Sequence, residues 1–335
     1  MTARNRTASA ARTARAARAT RARVAATAAV AGAAVTGAAM LALALAGPAA
    51  SAAVQVNCAA APSACGYPDA TNSGVPAGTT LLSVPGQVSS GPGWHYVSSG
   101  YVSVNGNGAV LSGLYIPCNV DVTASSVTIR NSRIVTSGSF AVSLRHTSGV
   151  TIAHSAISGL NAGPGRAGVA ISDIYGDSTG MTITGNNIYN FKTAIGINTG
   201  VITGNYIHDP GYAAGDHTNG IFDTGTTQPL SVTGNTILNS FGQTDAISLD
   251  DSTPGSPIAN KTITGNLLGG GGYTIYGGNT LGNTSTRMLI QNNRFSQAYF
   301  PRSGQWGPVA YFNTSATNIW SGNIWDHTGA TITSP

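Results

Sequence analysis

Residues 181–188 read Met-Thr-Ile-Thr-Gly-Asn-Asn-Ile, and residues 201–207 read Val-Ile-Thr-Gly-Asn-Tyr-Ile. Both segments combine alternating apolar and polar residues with a Gly-Asn pair. A period of two is typical of a strand that buries one face. Glycine and asparagine tolerate left-handed backbone dihedrals, so each Gly-Asn pair predicts a turn beside a strand.

This unit repeats along most of the chain, with the last apolar residues of successive units 18 to 31 residues apart. A second apolar centre follows in each repeat, which predicts at least two short strands per coil. Neither strand can bury its apolar side alone, so the coils are expected to stack. The sequence therefore predicts an all-β fold, a single-stranded right-handed parallel β-helix (a solenoid) over residues 101–335. Further copies of the unit lie at 127–134, 150–157, 231–237, 261–268, 288–295 and 317–325.

Stacking predicts two columns of equivalent residues. Coils about 4.8 Å apart would bury one apolar ladder, made of Ile129, Ile152, Ile183, Ile202, Val232, Ile263 and Ile290. Asparagines at equivalent turns would hydrogen-bond along a second column, made of Asn186, Asn205, Asn235, Asn266, Asn293 and Asn323. Leucine-rich and propeller repeats are competing architectures, but the sequence has neither the leucine spacing nor a repeated Trp-Asp signature.

The first 52 residues differ in composition from the rest. Seven arginines lie in the first 23 residues, and an alanine-rich apolar run follows to about Ala46. Together with the small residues Ala50, Ser51 and Ala52, this is typical of an export signal. We expect residues 1–52 to be a signal peptide removed after Ala52, residues 53–100 to be an N-terminal segment and cap, and the protein to be secreted.

The charge balance changes when that head is set aside. Without its seven arginines, nine basic side chains remain against eleven acidic ones, all of them aspartate. A nucleic-acid partner then has no electrostatic basis. The scarcity of lysine and the absence of glutamate suit strands and turns rather than helices. Beyond the removed signal we expect no membrane span, and we expect a monomer.

Three cysteines can form one disulfide in an oxidising extracellular environment. We favour Cys65 with Cys118, which would tie the N-terminal segment to the first regular repeat. The alternative, Cys58 with Cys65, would close only a small local loop. The sequence alone leaves both pairings open.

Two short openings carry a family resemblance. Residues 65–72 read Cys-Gly-Tyr-Pro-Asp-Ala-Thr-Asn, and residues 74–79 read Gly-Val-Pro-Ala-Gly-Thr. With the repeats, they make residues 58–335 resemble secreted bacterial right-handed parallel β-helix proteins of the pectate-lyase-like superfamily, especially an actinobacterial type. The resemblance implies the fold rather than the reaction, because related folds include polysaccharide lyases, glycoside hydrolases, esterases and non-catalytic adhesins.

The spacing of the apolar centres predicts where loops project. The connection from Ile207 to Ile221 spans 14 residues, against 7 from Ile188 to Ile195. Long connections recur at one corner of the coil, so their loops should wall a groove. The richest of them, residues 208–223, contains two histidines and three aspartates.

Alignment of the second strands gathers scarce ionisable groups on one face. The candidate catalytic residues are His217, Asp245, His208, Lys192 and Asp223. Asp250 and Asp251, with Asp223, are candidate ligands of Ca²⁺, the one cofactor the sequence suggests. β-Elimination from a uronic acid needs a group that neutralises the carboxylate and a base for the C5 proton, and this set offers both. In the alternative interpretation, the aspartates bond their own backbone in turns.

Candidate substrate-binding residues accompany this set. They are Asn219 and Tyr273 on the aligned strands, and Tyr299, Arg302 and Trp306 in the long loop before Val309. Residues 217–221, His-Thr-Asn-Gly-Ile, resemble the Asn-Thr-Asp-Gly-Ile segment of polygalacturonase-type hydrolases. However, Asn219 stands where that resemblance requires an acid, and no Gly-His-Gly or Arg-x-Lys segment follows.

We therefore expect an extracellular enzyme that cleaves a polysaccharide, a lyase more readily than a hydrolase with paired aspartates. The other class is a non-catalytic β-helix that binds a glycan or a surface. An ice-binding face is one such case, since Thr182 and Thr184 begin a Thr-x-Thr array. Val201 and Leu289 interrupt that array.

Overall fold

The computed structural model describes residues 57–249, 257–279 and 284–333. The expected signal peptide and its cleavage after Ala52 lie outside these ranges. Within them the structure has one 3-10 helix, Pro62–Cys65, and otherwise strands, turns and loops. None of the helical structure in these ranges has the length and apolar character needed to cross a membrane.

The strands form three sheets, and successive coils add one strand to each. Sheet A has ten described strands: β1 (Leu82–Ser83), β6 (Leu114–Ile116), β9 (Arg133–Thr136), β12 (Ala156–Gly159), β15 (Asn187–Tyr189), β18 (Tyr206–His208), β21 (Thr236–Asn239), β24 (Leu267–Gly270), β27 (Arg294–Phe295) and β30 (Ile324–Trp325). Sheet B has eleven: β2 (Ser90–Gly91), β3 (Trp94–Val97), β4 (Tyr101–Val104), β7 (Asn119–Val122), β10 (Phe140–Leu144), β13 (Ala167–Asp173), β16 (Phe191–Gly196), β19 (Thr218–Phe222), β22 (Thr244–Ser248), β25 (Tyr273–Tyr276) and β28 (Gly307–Ala310). Sheet C has nine: β5 (Val110–Ser112), β8 (Thr128–Arg130), β11 (Thr151–Ala153), β14 (Thr182–Thr184), β17 (Gly200–Thr203), β20 (Leu230–Thr233), β23 (Pro257–Thr264), β26 (Thr284–Gln291) and β29 (Ile319–Ser321).

The all-β parallel β-helix prediction is confirmed. The described strands pair in parallel throughout the stack, except that β2 with β3 and β3 with β4, at one end of sheet B, pair antiparallel. Each coil has three strands, consistent with the prediction of at least two. The repeated unit itself contains two of them, because β14 and β15 flank the turn at Gly185 and Asn186.

Both predicted columns are present. Ile183 pairs with Ile152 on one side and Ile202 on the other, and the whole apolar ladder is buried. In the asparagine column, the Asn205 backbone N–H and side-chain Nδ2 both donate to Asn235 Oδ1, each at 2.9 Å. The same pattern links Asn235 to Asn266. At these turns, the backbone N–H therefore donates to an asparagine side chain of the next coil instead of to a backbone carbonyl.

An N-terminal strap, residues 57–81, runs along the stack from its last coil to its first. At one end the Cys58 backbone N–H donates to Asp326 beside β30 at 3.2 Å. Midway, Gly74 donates to the Gly185 carbonyl at 2.8 Å, and the strap then leads into β1, which pairs with β6.

The predicted disulfide between Cys65 and Cys118 is wrong. Cys58 and Cys65 are bonded, with their Cα atoms 5.6 Å apart, and Cys118 is a free thiol. The strap explains the difference, because its start lies beside β30 whereas Cys118 follows β6. Eight strand spacings of sheet A, about 38 Å, separate those two coils.

Candidate functional site

The outer face of sheet B carries a groove of about 620 Å³. Two rows of side chains from β13, β16 and β19 form its floor. The residues between the rows, such as Ala194 and Ile195, are buried in the core, so each strand turns one residue outward on either side of them. The first row is Val169, Thr193 and Asn219, and the second is Ser172, Gly196 and Phe222.

One wall of the groove lies toward the corner between sheets A and B, where His217 ends the connection 209–217 and lines the groove. As the spacing predicted, the long connections 209–217 and 296–306 both lie at this corner, and the structure adds the connection 160–166. The connections 160–166 and 209–217 are tied together, because Tyr212 donates its backbone N–H to the Ala162 carbonyl at 2.7 Å. An ion pair between Arg166 and Asp216 adds a second link.

Lys192 and His217 line the groove. Lys192 makes no ion pair with any residue of the described ranges, and His217 is exposed. The nearest side-chain neighbour of the imidazole is Gln243, whose Nε2 is 3.5 Å from His217 Nε2. The groove thus contains a lysine with no ion-pair partner among the described residues, and an exposed imidazole whose one side-chain contact there is with Gln243.

Asn219 separates the groove from Asp245. The predicted alignment is confirmed, since Thr193, Asn219 and Asp245 pair in register across three strands. When the side-chain amide of Asn219 is oriented with its nitrogen toward Asp245, that nitrogen donates to the two Asp245 carboxylate oxygens at 2.9 and 3.3 Å. Asp245 itself is 0% exposed, so it does not reach the groove directly, and Asn219 lies between them.

Asp223 does not line the groove. Its carboxylate forms an ion pair with Lys261 at 2.6 Å, and both side chains are almost fully buried. Lys261 also donates to the carbonyls of Asn198 at 3.1 Å and Gln228 at 2.9 Å. Burial lowers the pKa of Lys261, and the charge of Asp223 opposes that shift. Asp223 therefore serves as a buried counter-ion, which its position in a polar loop did not reveal.

The expected Ca²⁺ ligands are not brought together in the described part of the chain. Asp250 and Asp251 lie outside the described residues, and Asp223 is committed to Lys261. Within the described ranges, no cluster of three or more histidine, cysteine or acidic residues could hold a metal ion.

His208 lies on a different face from the one expected. It is the last residue of β18 and stacks on Tyr206, with ring centroids 3.9 Å apart, on the outside of sheet A. Its ring nitrogens contact Asp209 at 2.7 Å and Asn187 at 2.9 Å. Because both nitrogens are engaged away from the groove, His208 is not part of this site.

The remaining predicted binding residues lie outside the groove lining. Tyr299 lies toward sheet A, where burial and the charge of Asp209 raise its pKa. Arg302 and Trp306 are exposed in the 296–306 loop, and Tyr273 lies farther along sheet B on β25. A binding role for these residues stays a prediction.

Sequence reasoning missed the opposite wall. Tyr175 lines the groove there and stacks in parallel on His146 at 4.2 Å. Arg145 contacts the Tyr175 hydroxyl at 3.4 Å and forms an ion pair with Asp121 at 2.6 Å. These residues come from three successive coils, so no single loop is rich in charge. The signal that could have found them is the register that aligns Asp121, Ser143 and Ser172.

Comparisons with protein-family models, curated proteins and solved structures find no match to this chain. The fold therefore rests on the geometry above.

Proposed function

We propose that the protein is an extracellular polysaccharide lyase of the pectate-lyase-like type, which cleaves a uronic-acid-containing glycan in the sheet B groove. The observation that carries the proposal is that Lys192 and His217 line the same groove. A lysine with no ion-pair partner among the described residues suits a carboxylated sugar, and an exposed imidazole in the same groove suits proton abstraction.

The reaction assigns one task to each side chain. Lys192 binds the uronate carboxylate and withdraws charge from it, which makes the C5 proton more acidic. Neutral His217 takes that proton, the C4–O bond breaks, and a C4=C5 double bond forms. The departing glycosyl oxygen gains a proton from water. Asn219, held by Asp245, offers its amide to the sugar between these two groups.

A hydrolase is less well supported because it needs two carboxyl groups that flank the scissile bond. Among the described residues that line the groove, the acidic one is Asp173. Its two oxygens accept hydrogen bonds from the backbone N–H and hydroxyl of Ser178, at 3.0 and 2.8 Å. Asp245, the nearest second carboxylate in register, is completely buried.

A product assay tests the proposal. The protein is incubated with a panel of polyuronates and neutral glycans, while the absorbance of unsaturated ends and the reducing sugar are both followed. A lyase produces both signals from a polyuronate, a hydrolase produces reducing sugar alone, and a binding protein produces neither.

A matched pair of histidine variants assigns any activity to the groove. His217→Ala should lower turnover by about a hundredfold or more, as loss of a general base usually does. His154→Asn is the control, since His154 is exposed on another face and its φ of 45° suits asparagine. Equal turnover in the two variants would remove His217 from the mechanism.

A further inference from the structure

Building on the proposed function, we infer that the groove takes the end of a polysaccharide chain rather than its middle. Tyr273 and Tyr276 form the wall that stops the chain. The enzyme would then act in an exo manner, on one chain terminus.

The floor of the groove ends at β19. Its two rows continue in register onto β22, where Asn219 is followed by Asp245 and Phe222 by Ser248. Asp245 is 0% exposed and Ser248 is 3% exposed, whereas Asn219 and Phe222 both line the groove. A sugar lying on β19 therefore finds no accessible floor on the next strand.

Aromatic side chains stand beyond that point. Tyr276 follows Ser248 in register on β25, and its ring meets that of Tyr273 edge to face at 5.8 Å. Tyr311 stacks on the far side of Tyr276 at 5.9 Å. This cluster is braced at the A–B corner, where Trp306 donates its backbone N–H to the Gly272 carbonyl at 2.7 Å. The wall is thus supported by ring packing against Tyr311 and by a backbone hydrogen bond beside Tyr273.

The opposite end of the groove continues along sheet B. Val169 and Ser172 pair in register with Phe140 and Ser143 on β10. Those two residues line a second groove of about 310 Å³, which extends over β7 to β4. The two grooves together cover six consecutive strands, a length of about 24 Å.

The second groove carries charge that suits the same polymer. Arg145 lines it and places a second cation along the path from Lys192, although Asp121 balances part of its charge. A polyuronate entering over β4 would reach Lys192 and His217 with its terminal sugars against the tyrosine wall. Cleavage there would release short products of one size.

End-labelled oligouronates test the closed end directly. A bulky fluorophore is attached to either the reducing or the non-reducing terminus, and binding to His217→Ala is measured by calorimetry. We expect one label to weaken binding at least tenfold and the other to change it less than about twofold. Tolerance of both labels, or exclusion of both, would overturn the inference. Failure of the unlabelled oligouronate to bind would instead refute the proposed function, and the inference with it.

Product analysis gives a second, independent test. The wild-type protein should release one short product from the earliest time point while the mean polymer length falls slowly. Tyr273→Ala combined with Tyr276→Ala should give a mixture of sizes and a rapid fall in polymer length. Tyr115→Ala on sheet A is the matched control and should keep the wild-type pattern. A mixture of sizes from the wild-type protein would contradict the inference even if the double variant did not fold.

Discussion

Replacing Asn235 by alanine interrupts the asparagine column at its centre. The Asn235 side chain accepts the Asn205 backbone N–H at 2.9 Å and donates to the Ile202 carbonyl and to Asn266 Oδ1, each at 3.0 Å. The variant leaves the buried Asn205 N–H without an acceptor, which costs about 2 kcal/mol. It also removes four further side-chain hydrogen bonds, of which the two at 3.0 Å to Ile202 and Asn266 contribute about 1 kcal/mol each. We therefore expect Asn235→Ala to lower the free energy of unfolding by about 4 kcal/mol.

Two measurements check this expectation against a control. Urea unfolding gives the loss of stability, and hydrogen exchange reports the Asn205 amide, whose protection should fall at least tenfold. Asn105→Ala is the control, because Asn105 is exposed and its side chain has no hydrogen-bond partner among the described residues; we expect a change below about 0.5 kcal/mol. A loss under about 1 kcal/mol for Asn235→Ala, with Asn205 protection unchanged, would refute the role given to the column.

Three further predictions concern the core, the strap and the thiols. Ile202→Ala should cost about 2 to 5 kcal/mol in urea unfolding, because it empties one position of the buried ladder; no cost would mean that the ladder does not support the coil. Although burial raises it, hydrogen bonds from Ser63 and Thr71 lower the pKa of Asp69 from 3.8 to about 2. The stability that Asp69 contributes is therefore present above pH 3.8 and lost as the pH falls toward 2, and Asp69→Asn should flatten the stability profile in that window; an unchanged profile would contradict this. Burial raises the pKa of the Cys118 thiol, so alkylation should be slow in the folded protein and should add one label after denaturation without reductant, and three after reduction. Peptide mapping that finds the label added before reduction on Cys58 or Cys65 instead of Cys118 would contradict the disulfide between Cys58 and Cys65.

The parts of the fold that follow a local period were predictable from the sequence. Ile183 and Asn186 sit at fixed offsets in a repeated unit, so their neighbours Ile202 and Asn205 follow from counting alone. The corner at which the long loops lie could be predicted in the same way. The length of each connection can be counted between the same two apolar positions of every coil. The sequence predicted at least two strands per coil without fixing the number at three, because the unit that contains β14 and β15 looks like one strand and one turn.

The site was less predictable because a shift of one position along the chain changes the face of the coil on which a side chain lies. His208 ends β18 and so points from sheet A, whereas His217 precedes β19 and reaches the groove. Asp223 follows β19 and turns inward to Lys261, a partner in the next coil. The prediction of the disulfide pairing was wrong for a longer-range reason. Nothing in the sequence indicates that the strap begins beside the last coil.

The effect of Lys192→Met on two forms of one substrate tests the central claim most directly. If Lys192 neutralises the uronate carboxylate, the variant should form unsaturated ends at least a hundredfold more slowly from the free polyuronate. The methyl-esterified polymer carries no charge to neutralise, so its cleavage should change much less, and Lys192→Arg should keep most of the activity on both. Equal turnover by wild type and Lys192→Met on the free polyuronate would contradict the assignment of this groove as the active site of a lyase.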